Sequence, residues 1–273
     1  MGDKFSSSPS YLYTLFMTRE KRFHPGIGET NYLAGMKQVD RTRPGSGMTS
    51  RASAGPSYPM FYDKIHFLGS PAIVVELLED TPSRWLLEEL LESYLFAVQM
   101  GYRFAVTGAT NPLVYAAVRR AGVPVFMERG YSLNRPGCIL LDLWSPKRLE
   151  PEEASSASYI IVGGIMGDHP PKGRTYLLSS QVYTACAKRN LGPEQLSVDG
   201  AVKTAILVAE GYRLDEIEFE EGVEVEVESP VRGVSARVEL PYAYPKVGGR
   251  ILVSQRLLSL LSRGIIYEEE YLA

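Results

Sequence analysis

From residue 72 onward the apolar residues recur with two periods, one typical of strands and one typical of helices. The run "AIVVELLE" begins at Ala72 and is rich in β-branched residues, which predicts a buried strand. Thr81 and Pro82 then have the chemistry of an N-cap and a first helical residue, so a helix is predicted through "SRWLLEELLESYLFAVQM". Leucine and aromatic residues recur along it at helical spacing, and Gly101 ends it.

The segments that follow alternate between strand-like and helix-like patterns. Strands are predicted at "YRFAVTG", "VPVF", "CILLDL", "YIIVGG" and "VYTACA". Helices are predicted at "PLVYAAVRRAG", at the short acidic "EEASSA", and at "SVDGAVKTAILVAEG", where Ser197 is the predicted N-cap. Such alternation is typical of an α/β domain with a mostly parallel sheet.

The last part of the chain has a different pattern. "VEVEVES" and "SARVELPY" alternate apolar and polar residues with a period of two on either side of "PVRG". This pattern predicts an antiparallel hairpin. The segment "SQRLLSLLSR" has helical spacing and predicts a closing helix.

Residues 1–65 have neither period and are rich in glycine, proline and basic residues, as in "RTRPGSGMTSRASAGPSYP". They offer too little apolar surface for a core, so we expect a disordered basic extension followed by one domain over 66–273. The extension carries nine Lys and Arg and five Asp and Glu, which gives a net charge of +4. Residues 66–273 carry 20 Lys and Arg and 27 Asp and Glu, which gives a net charge of −7. An alternative role for the extension is contact with RNA or a ribosome.

The composition argues against several classes of protein. Hydrophobic residues make up 45% and charged residues 22% of the chain, as in ordinary soluble globular proteins. We find no apolar run long enough to cross a bilayer and no signal-peptide pattern, so we expect a cytoplasmic protein.

Cys138 and Cys186 are interpreted as small buried apolar residues rather than a disulfide or metal site. The three histidines have no second ligand at zinc spacing, which argues against a metal centre.

Candidate chemistry lies in three loops that follow predicted strands. They are "DLWSP" at 142–146, "GGIMGDHPP" at 163–171 and "RNLGPEQLSVDG" at 189–200. In an open α/β sheet, ligands bind beyond the carboxyl ends of the strands, where such loops meet. The glycines of the second loop would let a ligand approach the backbone closely, although a tight turn at a sheet edge could have the same sequence. Asp168 and His169 are either an acid–base pair or a structural hydrogen-bonded pair.

These residues closely resemble one known family. The segment "YIIVGGIMGDHPPKGRT", followed by "LGPEQLSVDGAVKTAIL", is similar to the motifs of the SPOUT-type protein arginine methyltransferases, and the similarity covers about residues 72–262. The resemblance implies a SPOUT-like, trefoil-knotted α/β fold with a mostly parallel sheet and a C-terminal antiparallel hairpin. It also implies S-adenosylmethionine as the methyl donor, bound by ten residues of the three loops: Leu143, Trp144, Gly163, Gly164, Ile165, Gly167, Leu191, Gly192, Leu196 and Ala201.

The methyl acceptor is predicted from chemistry and charge. A guanidinium has a pKa above about 12 and needs carboxylates that hold it and expose a nitrogen lone pair. Asp168 and Asp199 are the predicted acceptor-side carboxylates, with Glu194 as a further candidate, and His169 completes the predicted catalytic set. Asp199 could equally serve only to cap its helix.

The acidic domain favours a basic protein as the substrate, such as a ribosomal protein, over RNA. An RNA methyltransferase is the first alternative, because the basic extension could supply the missing positive charge. A non-catalytic assembly factor that binds S-adenosylmethionine is the second alternative. The sequence leaves open whether the protein is a monomer or a homodimer.

A chain that starts at Met60 tests the predicted domain boundary. Because no core-forming pattern precedes residue 65, removal of residues 1–59 should leave the melting temperature and the donor affinity nearly unchanged. Scanning calorimetry and titration with S-adenosylmethionine measure both quantities against the full-length chain. A fall of many degrees in the melting temperature would show that the segment packs on the domain.

Overall fold

The alternating pattern of the sequence forms a five-stranded parallel sheet. The structure, a computed structural model, describes residues 71–79, 83–165, 174–228 and 235–262. The strands of this sheet are β1 (Ala72–Leu77), β2 (Arg103–Thr107), β3 (Cys138–Leu141), β4 (Tyr159–Gly164) and β5 (Ala187–Arg189). Their order is β2-β1-β4-β3-β5, and every neighbouring pair is parallel.

The described helices agree with the predicted pattern apart from their exact ends, except that one lies at "TYLLSS", where the sequence left a helix or a loop open. They are α1 (Arg84–Gln99), α2 (Pro112–Arg120), α3 (Pro151–Ser156), α4 (Thr175–Gln181), α5 (Val198–Ala209) and α6 (Gln255–Ser262). The N-cap of α1 is Ser83, whose side chain accepts a hydrogen bond from the backbone N–H of Leu86, and not Thr81 as predicted. Thr81 and Pro82 lie outside the described residues. None of the described helices is long and apolar enough to span a bilayer.

Helices cover both faces of the sheet, which explains why its central strands are buried and apolar apart from Glu76 of β1. All six residues of β1 are buried, and so are five of the six residues of β4. On one face, α1 packs against α5. On the other face, Leu140 and Ile161 pack with Leu178 of α4 and with Tyr183.

The C-terminal part contains the predicted hairpin and a small sheet that was not predicted. Strands β7 (Glu224–Glu228) and β8 (Ser235–Glu239) pair antiparallel, which confirms the hairpin. Strand β9 (Tyr244–Val247) pairs antiparallel with β6 (Glu218–Glu220) and β10 (Arg250–Ile251). Leu257 and Leu261 of α6 bury against Val227, so the closing helix covers the apolar face of the hairpin.

Two predicted strands differ from the structure. "VPVF" contributes a single bridge between Val106 and Val125, and the strand predicted at "VYTACA" begins only at Ala187. The order of the strands does not define how the chain is threaded, so the trefoil knot stays a prediction.

The interpretation of the two cysteines is wrong, because Cys138 and Cys186 form a disulfide. Pairing of β3 with β5 places Ile139 beside Ala187, so the two preceding residues are also neighbours, with Cα atoms 4.8 Å apart. The cysteines are 48 residues apart in the sequence, and only the register of the strands brings them together.

Removal of the disulfide should destabilise the domain. A cross-link that closes a loop of this length stabilises a fold by about 4 kcal/mol in the chain-entropy model. The double variant Cys138→Ala/Cys186→Ala should therefore lose several kcal/mol in the free energy of unfolding, measured by urea denaturation. The wild type with excess reductant should approach the variant, whereas equal stability in all three samples would contradict the assignment.

Candidate functional site

An open cavity of roughly 850 Å³ lies at the carboxyl ends of β3, β4 and β5. Its walls come from the segments that follow these three strands, as expected for an open α/β sheet. Its described lining residues are Leu141, Asp142, Leu143, Trp144, Val162, Gly163, Ile165, Arg174, Thr175, Leu191, Gly192, Glu194, Gln195, Leu196, Ser197, Val198 and Ala201.

The structure brings most of the predicted donor-binding residues together. Gly164 and Asp199 are not part of the lining. Gly167, Asp168 and His169 lie outside the described residues. Eight of the ten predicted residues line the cavity, namely Leu143, Trp144, Gly163, Ile165, Leu191, Gly192, Leu196 and Ala201.

Sequence reasoning missed several lining residues, among them Asp142, Arg174 and Ser197. Asp142 directly follows β3, so its position at the carboxyl end of a strand was a usable signal. Ser197 was identified only as a helix cap. Arg174 stands inside the motif-bearing segment, but nothing in its sequence context indicates that its side chain faces the cavity.

Gly164 has a packing role that was not predicted, and its role in ligand approach stays a prediction. A Cβ atom at this position would lie 2.7 Å from Leu77 Cδ2 and 2.9 Å from Val75 Cγ1. The glycine therefore allows β4 to end closely packed against β1. Gly163, one residue earlier, is the glycine of this pair that lines the cavity.

The first and third loops are tied together by backbone and side-chain hydrogen bonds. Asn190 Nδ2 donates to the carbonyl oxygen of Ser145 at 2.6 Å, and Ser145 Oγ donates to the carbonyl oxygen of Lys188 at 2.9 Å. The backbone N–H of Asp142 donates to the carbonyl oxygen of Arg189 at 2.8 Å. Two walls of the cavity are thus held as one unit, because each loop satisfies polar groups of the other.

Ser197 is the N-cap of α5 and the part of the third loop that joins the cavity lining to this helix. Its Oγ accepts from the backbone N–H of Gly200 at 3.0 Å and donates to Asp199 Oδ1 at 2.6 Å. Asp199 is fully buried, and its Oδ2 lies 2.9 Å from Lys203 Nζ. This carboxylate lies behind the described lining of the cavity and is fully paired, which favours the helix-capping interpretation, and its catalytic role stays a prediction.

A buried group of charges supports the start of α5 from behind. Glu89 of α1 accepts from the backbone N–H of Val198 at 3.1 Å and from Trp85 Nε1 at 2.6 Å. Burial, followed by the charge of Asp199, raises the pKa of Glu89 to about 8. Lys203 also contacts Glu92, at 3.1 Å, so the buried cation is shared between two helices.

The charged side chains of the cavity have both signs. Asp142 is almost buried, and its Oδ1 accepts from the backbone N–H of Trp144 at 3.1 Å. The carboxylate of Glu194 lies over Gly192, where a Cβ atom would be 2.7 Å from Oε2. Arg174 forms an ion pair with Glu79 at 2.9 Å. Together with the apolar lining, this arrangement suits a small ligand that carries both positive and negative groups.

A family model shows the family of the chain, and one related sequence agrees with it. The family model described as "Protein arginine N-methyltransferase SFM1-like" matches residues 72–268. The chain is 30% identical over 125 residues to protein arginine N-methyltransferase SFM1 of Saccharomyces cerevisiae. That alignment covers 45% of this chain and 57% of the yeast protein, so it spans little more than half of the relative.

Solved structures confirm the predicted α/β fold class. The yeast arginine methyltransferase SFM1 complexed with SAM has a TM-score of 0.61 at 22% identity, over 73% of this chain and 94% of that chain. The same enzyme complexed with MTA has a TM-score of 0.55 at 21% identity, over 69% of this chain and 98% of that chain. The parallel-sheet core is therefore shared with these structures.

The free energy of unfolding should fall as the pH rises from the pKa of Glu89 in the unfolded chain to its pKa in the folded protein. Its pKa is 4.5 in the unfolded chain and about 8 in the folded protein, so the folded state holds a proton that the unfolded state releases. The contribution of Glu89 to stability is fully present below pH 4.5 and is lost between pH 4.5 and 8. Urea denaturation from pH 5 to pH 9 should show this loss.

The variant Glu89→Gln has no titrating group at this position and should lose less stability over the same pH range. Its neighbour Glu88, paired with Arg256 at the surface, provides the matched control. Glu88→Gln should keep the pH dependence of the wild type. An unchanged slope in Glu89→Gln would contradict the assignment of the titration to this carboxyl group.

Proposed function

The chain belongs to the SFM1-like protein arginine N-methyltransferase family, and we propose that it transfers a methyl group from S-adenosylmethionine to an arginine of a basic protein. The observation that carries the proposal is the cavity at the carboxyl edge of the sheet, which the three motif-bearing segments line together. The yeast relative has been solved with SAM, SAH and MTA, which supports the extension of donor binding to this chain.

The lining of the cavity fits the chemistry of the donor. Sites for small organic ligands combine apolar walls with a few polar groups. Leu143, Leu191 and Leu196 provide apolar surface for the adenine, and the backbone at Gly163 and Gly192 allows close approach. When bound, the donor supplies a methyl group already activated on its sulfonium, so the protein mainly has to align donor and acceptor.

The acceptor arginine requires negative groups beside the donor. Its guanidinium remains protonated in water at neutral pH, and carboxylates both attract it and favour exposure of a nitrogen lone pair. Asp168 and His169 are the proposed catalytic residues because they belong to the family motif. Asp142 and Glu194 add negative charge to the lining, which also suits the positive groups of the donor.

A basic protein suits this domain better than a nucleic acid does. Residues 66–273 carry a net charge of −7, which opposes contact with a phosphate backbone and attracts a cationic protein. A ribosomal protein has the required charge and is the substrate class that we propose. The proposed location of the enzyme is the cytoplasm, where a structural disulfide such as Cys138–Cys186 is uncommon outside hyperthermophiles.

Methyl transfer should depend on Asp168 much more than on Asp199. Asp168→Asn retains the shape of the side chain but removes its charge, so we expect unchanged melting temperature and donor affinity with transfer reduced by orders of magnitude. Asp199→Asn breaks a buried ion pair, which typically costs about 3–5 kcal/mol, so its main effect should be on stability. Asp215→Asn, at an exposed position, is the control for both measurements.

The assay uses labelled S-adenosylmethionine and cell extract, followed by digestion with protease or RNase. The proposal requires that protease releases the label and that acid hydrolysis yields methylarginine. Label in the RNase-sensitive fraction would identify an RNA methyltransferase. Donor binding without any transfer would indicate a non-catalytic protein.

A further inference from the structure

Arg174 is the one cation among the described residues that line the cavity. Its Nη1 lies 2.9 Å from Oε1 of Glu79, a residue that stands 95 positions earlier in the sequence. The two side chains are 35% and 25% exposed, so the pair is half-buried, and Arg174 is the partner that lines the cavity. A partly exposed ion pair contributes little to stability, so a positive group in the lining of the cavity invites a functional explanation.

Both partners of the pair extend from anchored backbone. Glu79 lies two residues beyond the end of β1, where the backbone N–H of Leu78 donates to the carbonyl oxygen of Gly164 at 3.3 Å. Just before this end, the buried carboxylate of Glu76 accepts from Tyr183 Oη at 2.8 Å. Arg174 precedes α4, and its carbonyl oxygen accepts from the backbone N–H of Leu177 at 3.0 Å. The position of the guanidinium is therefore set by two separate elements.

The charges of the donor determine what such a cation can do. S-adenosylmethionine carries a positive sulfonium, a positive ammonium and one negative group, the carboxylate of its methionine part. The guanidinium would repel the first two groups and attract the third. A guanidinium has five N–H donors in a planar fork, which matches a carboxylate and can serve more than one carboxylate at a time.

We infer that Arg174 binds the carboxylate of the donor's methionine part, and that Glu79 acts as a positioning residue that orients the guanidinium. The inference rests on the proposed function, since it assumes that the donor occupies this cavity. The inference places the amino-acid part of the donor beside Arg174. The adenosine part then lies against the leucine-rich walls.

The test compares ligands that differ in the carboxylate. The affinities of S-adenosylmethionine, decarboxylated S-adenosylmethionine and 5′-methylthioadenosine are measured by calorimetry for the wild type and for Arg174→Gln. A charge-assisted hydrogen bond contributes about 1.5–3 kcal/mol, which corresponds to roughly a 10- to 150-fold change in affinity. The wild type should therefore prefer the intact donor over its decarboxylated form by roughly that factor.

In Arg174→Gln this preference should fall to near unity, while binding of methylthioadenosine should change by less than about threefold. Glu79→Gln should reduce the preference partly, because the guanidinium is retained but less well oriented. Arg256→Gln is the matched control, since Arg256 also pairs with a glutamate at 2.9 Å but does not line the cavity. Melting temperatures without ligand show whether each variant is folded.

Three results would overturn the inference. The wild type could bind the two forms of the donor equally well, Arg174→Gln could retain the preference, or it could weaken all three ligands by the same factor. In each case the proposed function would survive, because the wild type still binds the donor. If the folded wild type bound none of the three ligands, the proposed function itself would be wrong.

Discussion

The parallel pairing of β4 between β1 and β3 is the constraint on which the rest of the structure depends. It directs the carboxyl ends of these strands, and of β5 beyond them, toward one edge of the sheet. Gly163 and Gly164 end β4 at this edge, with one glycine facing the cavity and the other packed against β1. Side chains alternate between the two faces of a strand, so two adjacent glycines can serve two different purposes.

The buried charges behind the cavity show how the wall at α5 is held in place. Burial of an ion pair costs desolvation energy, which is offset only if the partners are well paired and hydrogen-bonded. Lys203 meets this condition through Asp199, Glu92 and the carbonyl oxygen of Leu252. Glu89 links the same region to the first turn of α5, so the buried polar groups between α1 and α5 also position the residues that line the cavity.

The cavity combines an anchored framework with charges of both signs. The loops after β3 and β5 share hydrogen bonds, so two walls of the cavity are held together. Asp142 and Glu194 contribute negative charge, and Arg174 contributes positive charge. A donor with two cationic groups and one anionic group matches this distribution, because each of its charges can meet a partner of opposite sign.

The sequence by itself determined the α/β alternation, the start of α5 at Ser197, the C-terminal hairpin and the three loops at the site. These features are local: periodicity, capping residues and a continuous motif record how each segment is buried. The tertiary structure alone decided that Cys138 pairs with Cys186, that Asp199 lies behind the wall, and that Arg174 meets Glu79. Each of these outcomes depends on strand register and on the direction of a side chain, and neither leaves a periodic signal in the sequence.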